Sequence, residues 1–148
     1  MNDLSRNPVF IAYAITCVVL CGNLLFLWAY SGAMRGRAKS TPNAEDAPLF
    51  GATLAETDPP AIARVLRAHA NAQASIHPFL VLGLVYVLAE GNAVAGTTYF
   101  ITFCAARLVH SWAYLAARQP WRTISFVVGG VATIALLVNV AWLLIAAR

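Results

Sequence analysis

The sequence predicts an all-α protein: an integral membrane bundle of four transmembrane helices forming one domain over residues 1–148. Three observations lead there. Four long apolar stretches fill most of the chain, and each supplies the about 20 apolar residues a helix needs to cross a bilayer. Hydrophobic residues make up 60% of the chain and charged ones 11%, against about 25% charged in an ordinary soluble domain. The cations cluster at the ends of the apolar stretches. A net charge of +4 therefore does not mark a nucleic-acid binder, whose cations would form a solvated run.

The first span is expected at residues 8–33. Arg6 precedes it as in a secretory signal, but the apolar run from Val9 to Tyr30 exceeds the about 7 to 15 residues of a signal core, so it reads as a permanent anchor. A polar segment follows at residues 34–60, with four prolines and two glycines. It is longer than the about 12 to 15 residues usual for a structureless connection, and is expected to cover the membrane mouth with some short helix. Asp58 before Pro59 and Pro60 reads as the capped start of the second span, 61–89. Those residues extend about 43 Å as a helix, against a hydrocarbon core of about 30 Å. Roughly two turns must project, carrying Arg64 and Arg67, with Asn71 at the entrance; Pro78 should kink the helix. Brief links then lead to the third span, 94–117, and the fourth, 122–147, so neighbouring helices form antiparallel hairpins.

Arg35, Arg37, Lys39, Arg64, Arg67, Arg118 and Arg122 fall at one end of this bundle, and Arg6 and Arg148 at the other. The positive-inside rule puts the first set in the cytoplasm and both termini outside. The membrane is a bacterial inner membrane or the endoplasmic reticulum. Cys17, Cys21 and Cys104 lie within apolar helices, where a thiol behaves as a small hydrophobe; no disulfide and no metal is assigned.

Arg64, Arg67, Asn71 and Ala74 share one helical face, as do Arg107, His110 and Tyr114 on the third span. Both stripes fall in the cytoplasmic half, and Arg122 opens the fourth span at the same level. A cation at the bilayer centre costs about 2.5–3.5 kcal/mol, so an intramembrane arginine is a functional hypothesis by default. The six acidic residues all lie in the tail, loops or helix boundaries. Inward-facing guanidiniums therefore need an anion from outside the chain. The arginine fork suits carboxylate or phosphate, which points to a small polyanion such as glutathione entering from the cytoplasm. A lipophilic second substrate would arrive through the membrane lipid.

Structural readings compete with this one. Arg64 and Arg67 either bind the ligand or snorkel to the interface, and Arg35, Arg37 and Lys39 either bind or set topology. Arg107 is too deep to snorkel and contacts ligand, backbone carbonyls or a neighbouring subunit. His110 and Tyr114 are each either site residues or satisfied core residues. Asn23 and Asn139 are expected to form interhelical hydrogen bonds.

The run Arg64-Val-Leu-Arg67-Ala-His-Ala-Asn71, with Ile76-His-Pro78-Phe79-Leu80 and Gly83-Leu-Val-Tyr86, resembles the second-helix signature of the MAPEG family (membrane-associated proteins in eicosanoid and glutathione metabolism). Asn43-Ala-Glu45-Asp46-Ala47, Arg107-Leu-Val-His110 with Tyr114, and Pro120-Trp-Arg122 with Ser125-Phe126 are similar to its first-loop, third-helix and fourth-helix patterns. The microsomal glutathione transferases and the microsomal prostaglandin E synthase branch resemble the chain most. The resemblance implies a homotrimer with glutathione held between subunits by Arg35, Arg67, Asn71, Arg107, His110 and Tyr114. It also implies Arg122 beside the sulfur, Asp46 as a loop acid that assists the chemistry or only caps locally, and Thr123 as a hydroxyl in the place of the synthase branch's serine. Ala74 stands where the family has glutamate, and Phe126 where the synthase branch has tyrosine, which tilts the expectation toward conjugation. The expected function is transfer of glutathione thiolate to hydrophobic electrophiles in detoxification or lipid metabolism, with lipid-hydroperoxide reduction as an accompanying activity. The alternatives are a glutathione-dependent isomerase of a lipid endoperoxide and a non-catalytic membrane binding or structural protein.

Overall fold

The structure, a computed structural model, describes residues 6–146. Arg148 and the expected end of the last span at residue 147 lie outside the described residues. The described chain runs α1 (Pro8–Ala38), β1 (Ser40–Thr41), α2 (Asp46–Phe50), β2 (Thr53–Leu54), α3 (Pro60–Leu88), α4 (Ala93–Leu115) and α5 (Trp121–Ala146). The four long helices form the expected bundle. α3 and α4 each pack against the other three, whereas α1 and α5 sit at diagonal corners.

Local chemistry sets the ends of these helices. Asn7 caps α1 by accepting from the Val9 and Phe10 N–H groups, with Pro8 at the first helical position. At the other end α1 runs to Ala38, five residues beyond the expected boundary at 33, because Met34 to Ala38 continue the helix until Lys39 turns left-handed (φ 45°). Arg35 and Arg37 in that last turn complement the helix dipole. Asn92 caps α4 through Val94 and Ala95. Asp58 does not cap α3: Pro59 holds that position without a side-chain bond, and the Asp58 carboxylate instead pairs with Arg35 at 3.0 Å. Pro78 lies inside α3, which continues as helix on both sides of it.

The segment between α1 and α3 is built rather than loose. Ser40 and Thr41 pair in parallel with Thr53 and Leu54, and α2 spans the interval. The short pairing folds this segment back onto the end of α1.

α1, α3 and α5 are long and apolar enough to cross a membrane. α4, with 23 residues, has the length (about 34 Å at helical rise) but is diluted by Arg107, His110 and Ser111, all buried. α4 is one of the two central helices, where these polar groups turn away from lipid. On the outside, large apolar residues such as Val18, Leu88, Val94 and Trp142 stay exposed, as a lipid-facing surface requires. The chain is a multi-pass membrane protein.

The core is aromatic. Phe79 stacks on Phe103 with ring centroids 3.7 Å apart, and Tyr86, fully buried, closes the α3–α4 hairpin by donating its hydroxyl to the Asn92 carbonyl at 2.9 Å. Asn23 donates to Ser111 Oγ at 3.0 Å and Asn139 to the Tyr99 hydroxyl at 3.1 Å, the two interhelical bonds expected from the sequence. The Tyr86 ring fits only because Gly91 and Gly96 lack side chains: a Cβ at Gly96 would lie 2.7 Å from it, and one at Gly91 would overlap it. Gly91→Ala is expected to cost about 1–3 kcal/mol, the usual range for over-packing. The check is the thermal midpoint in detergent, which should fall; an unchanged midpoint would mean the ring has room to move.

Candidate functional site

At the end of the bundle where α1 and α4 finish and α3 and α5 begin, a polar cluster is assembled from α3, α4 and the first turn of α5. Its deepest member is Arg107, 1% exposed. The spacing of Arg107, His110 and Tyr114 puts all three on the inward side of α4: His110 is buried and Tyr114 half-buried. The Arg107 stem packs against α5 at Gly129, its Cδ 3.6 Å from where a Cβ would be, an ordinary contact distance.

Arg107 Nη2 donates to Asn71 Oδ1 at 2.8 Å, and its Nε has no hydrogen-bond partner. Among the described residues no carboxylate pairs with it. A hydrogen bond to a charged group contributes about 1.5–3 kcal/mol, similar to the cost of burying the charge, so Asn71 holds the guanidinium without neutralising it.

The α4 stripe then meets α5. His110 Nδ1 lies 3.0 Å from the Arg122 carbonyl oxygen; a carbonyl only accepts, so Nδ1 carries the proton and Nε2 is a lone-pair acceptor. That Nε2 is buried and unpartnered. The Arg122 guanidinium lies over the Tyr114 ring, 5.0 Å from its centroid, a cation–π arrangement. Ser125 is buried beneath, its hydroxyl 2.7 Å from the Trp121 carbonyl and 3.4 Å from His110 Nδ1. Arg122 is therefore held at the opening of α5, where the helix dipole also favours an anion.

The remaining candidates lie elsewhere. The α3 stripe does not face inward with Arg107. The buried side of α3 is apolar, with Ile62, Val65, Ala68, Ala72, Ile76 and Phe79. The Arg64, Arg67, Asn71, Ala74 stripe lies about a third of a turn away at helical pitch. Arg67 and Ala74 are exposed and Arg64 is half-buried; only Asn71 reaches in. Arg35 pairs with Asp58. It lines a cavity of about 400 Å³ with Lys39, Thr41, Asp46 and Phe50. Asp46 opens α2 and accepts from Asn43 Nδ2 at 2.9 Å, so within one chain it belongs to the Arg35 group and not to Arg122. Thr123 is exposed on the first turn of α5, with its hydroxyl 3.1 Å from the Gln119 amide.

A model of the MAPEG family matches residues 13–142. The chain belongs to the MAPEG family. Among its relatives, prostaglandin E synthase of Equus caballus is 33% identical over 135 residues, covering 87% of this chain and 88% of that one. Prostaglandin E synthase of Homo sapiens is 31% identical over 144 residues, 93% and 95% of the two chains. Microsomal glutathione S-transferase 1 of Sus scrofa is 32% identical over 135 residues, 87% and 86%.

The candidate cations fall into three groups: Arg107, buried on α4 with no carboxylate partner among the described residues, Arg122, held at the start of α5, and the basic stripe on the outer face of α3. The first two can bind an anion and stabilise a developing one. Sequence reasoning missed two contributors, Ser125 as a support under His110 and Gln119 beside Arg122. Gln119 lies in the turn before α5, outside any helical stripe, so no spacing rule pointed to it.

Asn71→Leu removes the side-chain acceptor from Arg107. It is expected to destabilise the protein by about 1.5–3 kcal/mol, whereas Asn71→Asp keeps the bond and supplies a carboxylate, restoring or raising the thermal midpoint in the absence of ligand. Equal midpoints for wild type and Asn71→Leu would show that the bond contributes nothing.

Proposed function

We propose that this MAPEG chain is a membrane-bound glutathione transferase that joins the glutathione thiolate to hydrophobic electrophiles, with lipid-hydroperoxide reduction as an accompanying activity. The observation that carries the reading is the Arg122 guanidinium, fixed over the Tyr114 ring with no carboxylate partner among the described residues. A thiol with a pKa near 8.5 is only a few per cent ionised at neutral pH, and the thiolate is the nucleophile (about 8.5 in the free state). A cation beside the sulfur stabilises the anion, and a drop of two pKa units corresponds to about 2.7 kcal/mol. Arg122 has that role.

Glutathione supplies what the cluster lacks. Its carboxylates give Arg107 and Arg67 anions to pair with, and His110 Nε2 accepts from an N–H or S–H group of the tripeptide. Arg67 and Ala74 are open in a single chain, so the ligand is covered by a neighbouring subunit in a homotrimer, which brings Arg35, Asp46 and Arg64 alongside. Thr123 adds a hydroxyl at the same turn as Arg122. The basic end faces the cytoplasm, where glutathione is available, and the electrophile enters from the lipid. Asp46, at the loop cavity, is reserved for proton transfer or loop capping.

The prostaglandin E synthase names among the relatives favour a second reading, a glutathione-dependent isomerase of a lipid endoperoxide. Phe126, with its ring 5.9 Å from the His110 ring, offers no hydroxyl to such a reaction, which keeps conjugation first.

The test uses purified protein in detergent with glutathione and a chromogenic electrophile. Wild type is expected to show a bound-thiolate ultraviolet signal and turnover. Arg122→Ala should retain glutathione binding but lose the signal and at least tenfold in rate. An undiminished thiolate signal in Arg122→Ala would defeat the assignment.

A further inference from the structure

The Gln119 side chain sits in the turn between α4 and α5, beside both candidate residues of the first turn of α5. With its amide oxygen turned toward Arg122, it accepts from Nε at 3.2 Å and from Nη2 at 2.8 Å, and its amide nitrogen donates to Thr123 Oγ1 at 3.1 Å. The opposite orientation would set an N–H donor against the guanidinium, which has donors only. One amide therefore touches both side chains at once.

We infer that Gln119 is a positioning residue that aims the Arg122 guanidinium and the Thr123 hydroxyl at the reacting sulfur while leaving the positive charge uncompensated. The inference rests on the proposed role of Arg122. A guanidinium has five N–H donors. Gln119 occupies those on the Nε edge, and the Tyr114 ring covers one face. The terminal edge, Nη1 with the second Nη2 hydrogen, is what remains for an anion. Thr123, accepting from the amide, keeps its own hydrogen for donation.

Neutrality of the clamp is its essential property. Arg35 illustrates the alternative within the same molecule: it is held by the carboxylate of Asp58 at 3.0 Å. A carboxylate at position 119 would hold Arg122 as firmly, through a charge-assisted pair, but would cancel the charge that stabilises a thiolate. Geometry and charge can thus be separated by substitution.

The experiment titrates the ultraviolet thiolate signal of glutathione bound to the purified oligomer, for wild type, Gln119→Glu, Gln119→Met and Arg122→Ala, each with its thermal midpoint. Gln119→Glu is expected to keep or raise the midpoint while raising the bound thiol's pKa by at least about one unit, a tenfold loss of thiolate at low pH. Gln119→Met, neutral but without an acceptor, should lower kcat about three- to tenfold through misorientation, with KM for glutathione changed less than about twofold. If Arg122→Ala loses the thiolate while Gln119→Glu matches wild type, the inference about Gln119 is overturned and the role of Arg122 stands. If both substitutions at 119 lose activity only in proportion to a falling midpoint, the residue is merely structural. If Arg122→Ala keeps the thiolate, or wild type forms none, the reading of Arg122 fails and the inference goes with it.

Discussion

A single unneutralised charge organises this protein: the guanidinium of Arg107, buried inside a membrane bundle and answered by the amide of Asn71 rather than by an acid. Burying it without a counter-charge is tolerable only because one good hydrogen bond roughly offsets the insertion cost. The rest of the arrangement follows from keeping it there. α4 gives up apolar character to carry it and is placed against all three other long helices; the Arg107 stem packs on α5 at Gly129. His110, one turn along, ties α4 to the Arg122 carbonyl, and the first turn of α5 is thereby fixed to the same polar column.

The arginines are treated in different ways, and the differences divide structure from chemistry. Arg35 is paired with Asp58 and pins the end of α1 to the start of α3. Arg107 and Arg122 are held by neutral groups, an asparagine, an aromatic face and a glutamine. A paired cation has its charge satisfied by the fold; a cation held by neutral groups keeps its field for something else. This contrast supports the view that the inner cluster acts on an anion that enters from outside.

Much of the fold was legible because membrane constraints are strong. Apolar length located the four long helices, three of them apolar enough to cross a membrane, and helical spacing put Arg107, His110 and Tyr114 on one inward face. What spacing did not settle was phase. The stripe on α3 is regular in sequence, yet it lies to the side of the buried face, since Val65, Ala68 and Ala72 pack inward better than charged neighbours. Position along the chain also misread Asp58 as a cap, because its partner Arg35 is 23 residues away in sequence and only folding of the intervening segment brings them together. Gln119 was invisible for a related reason: its importance depends on a side-chain contact, not on any pattern of residue type.

The measurement that tests the central claim most directly is calorimetric titration of the purified protein with glutathione and, in parallel, with its dimethyl ester, which retains the thiol but lacks both carboxylates. Saturable binding of glutathione that is lost or weakened at least tenfold in the ester is the predicted result. Equal binding of the two, or none of either, would contradict the idea that these cations are waiting for an anion.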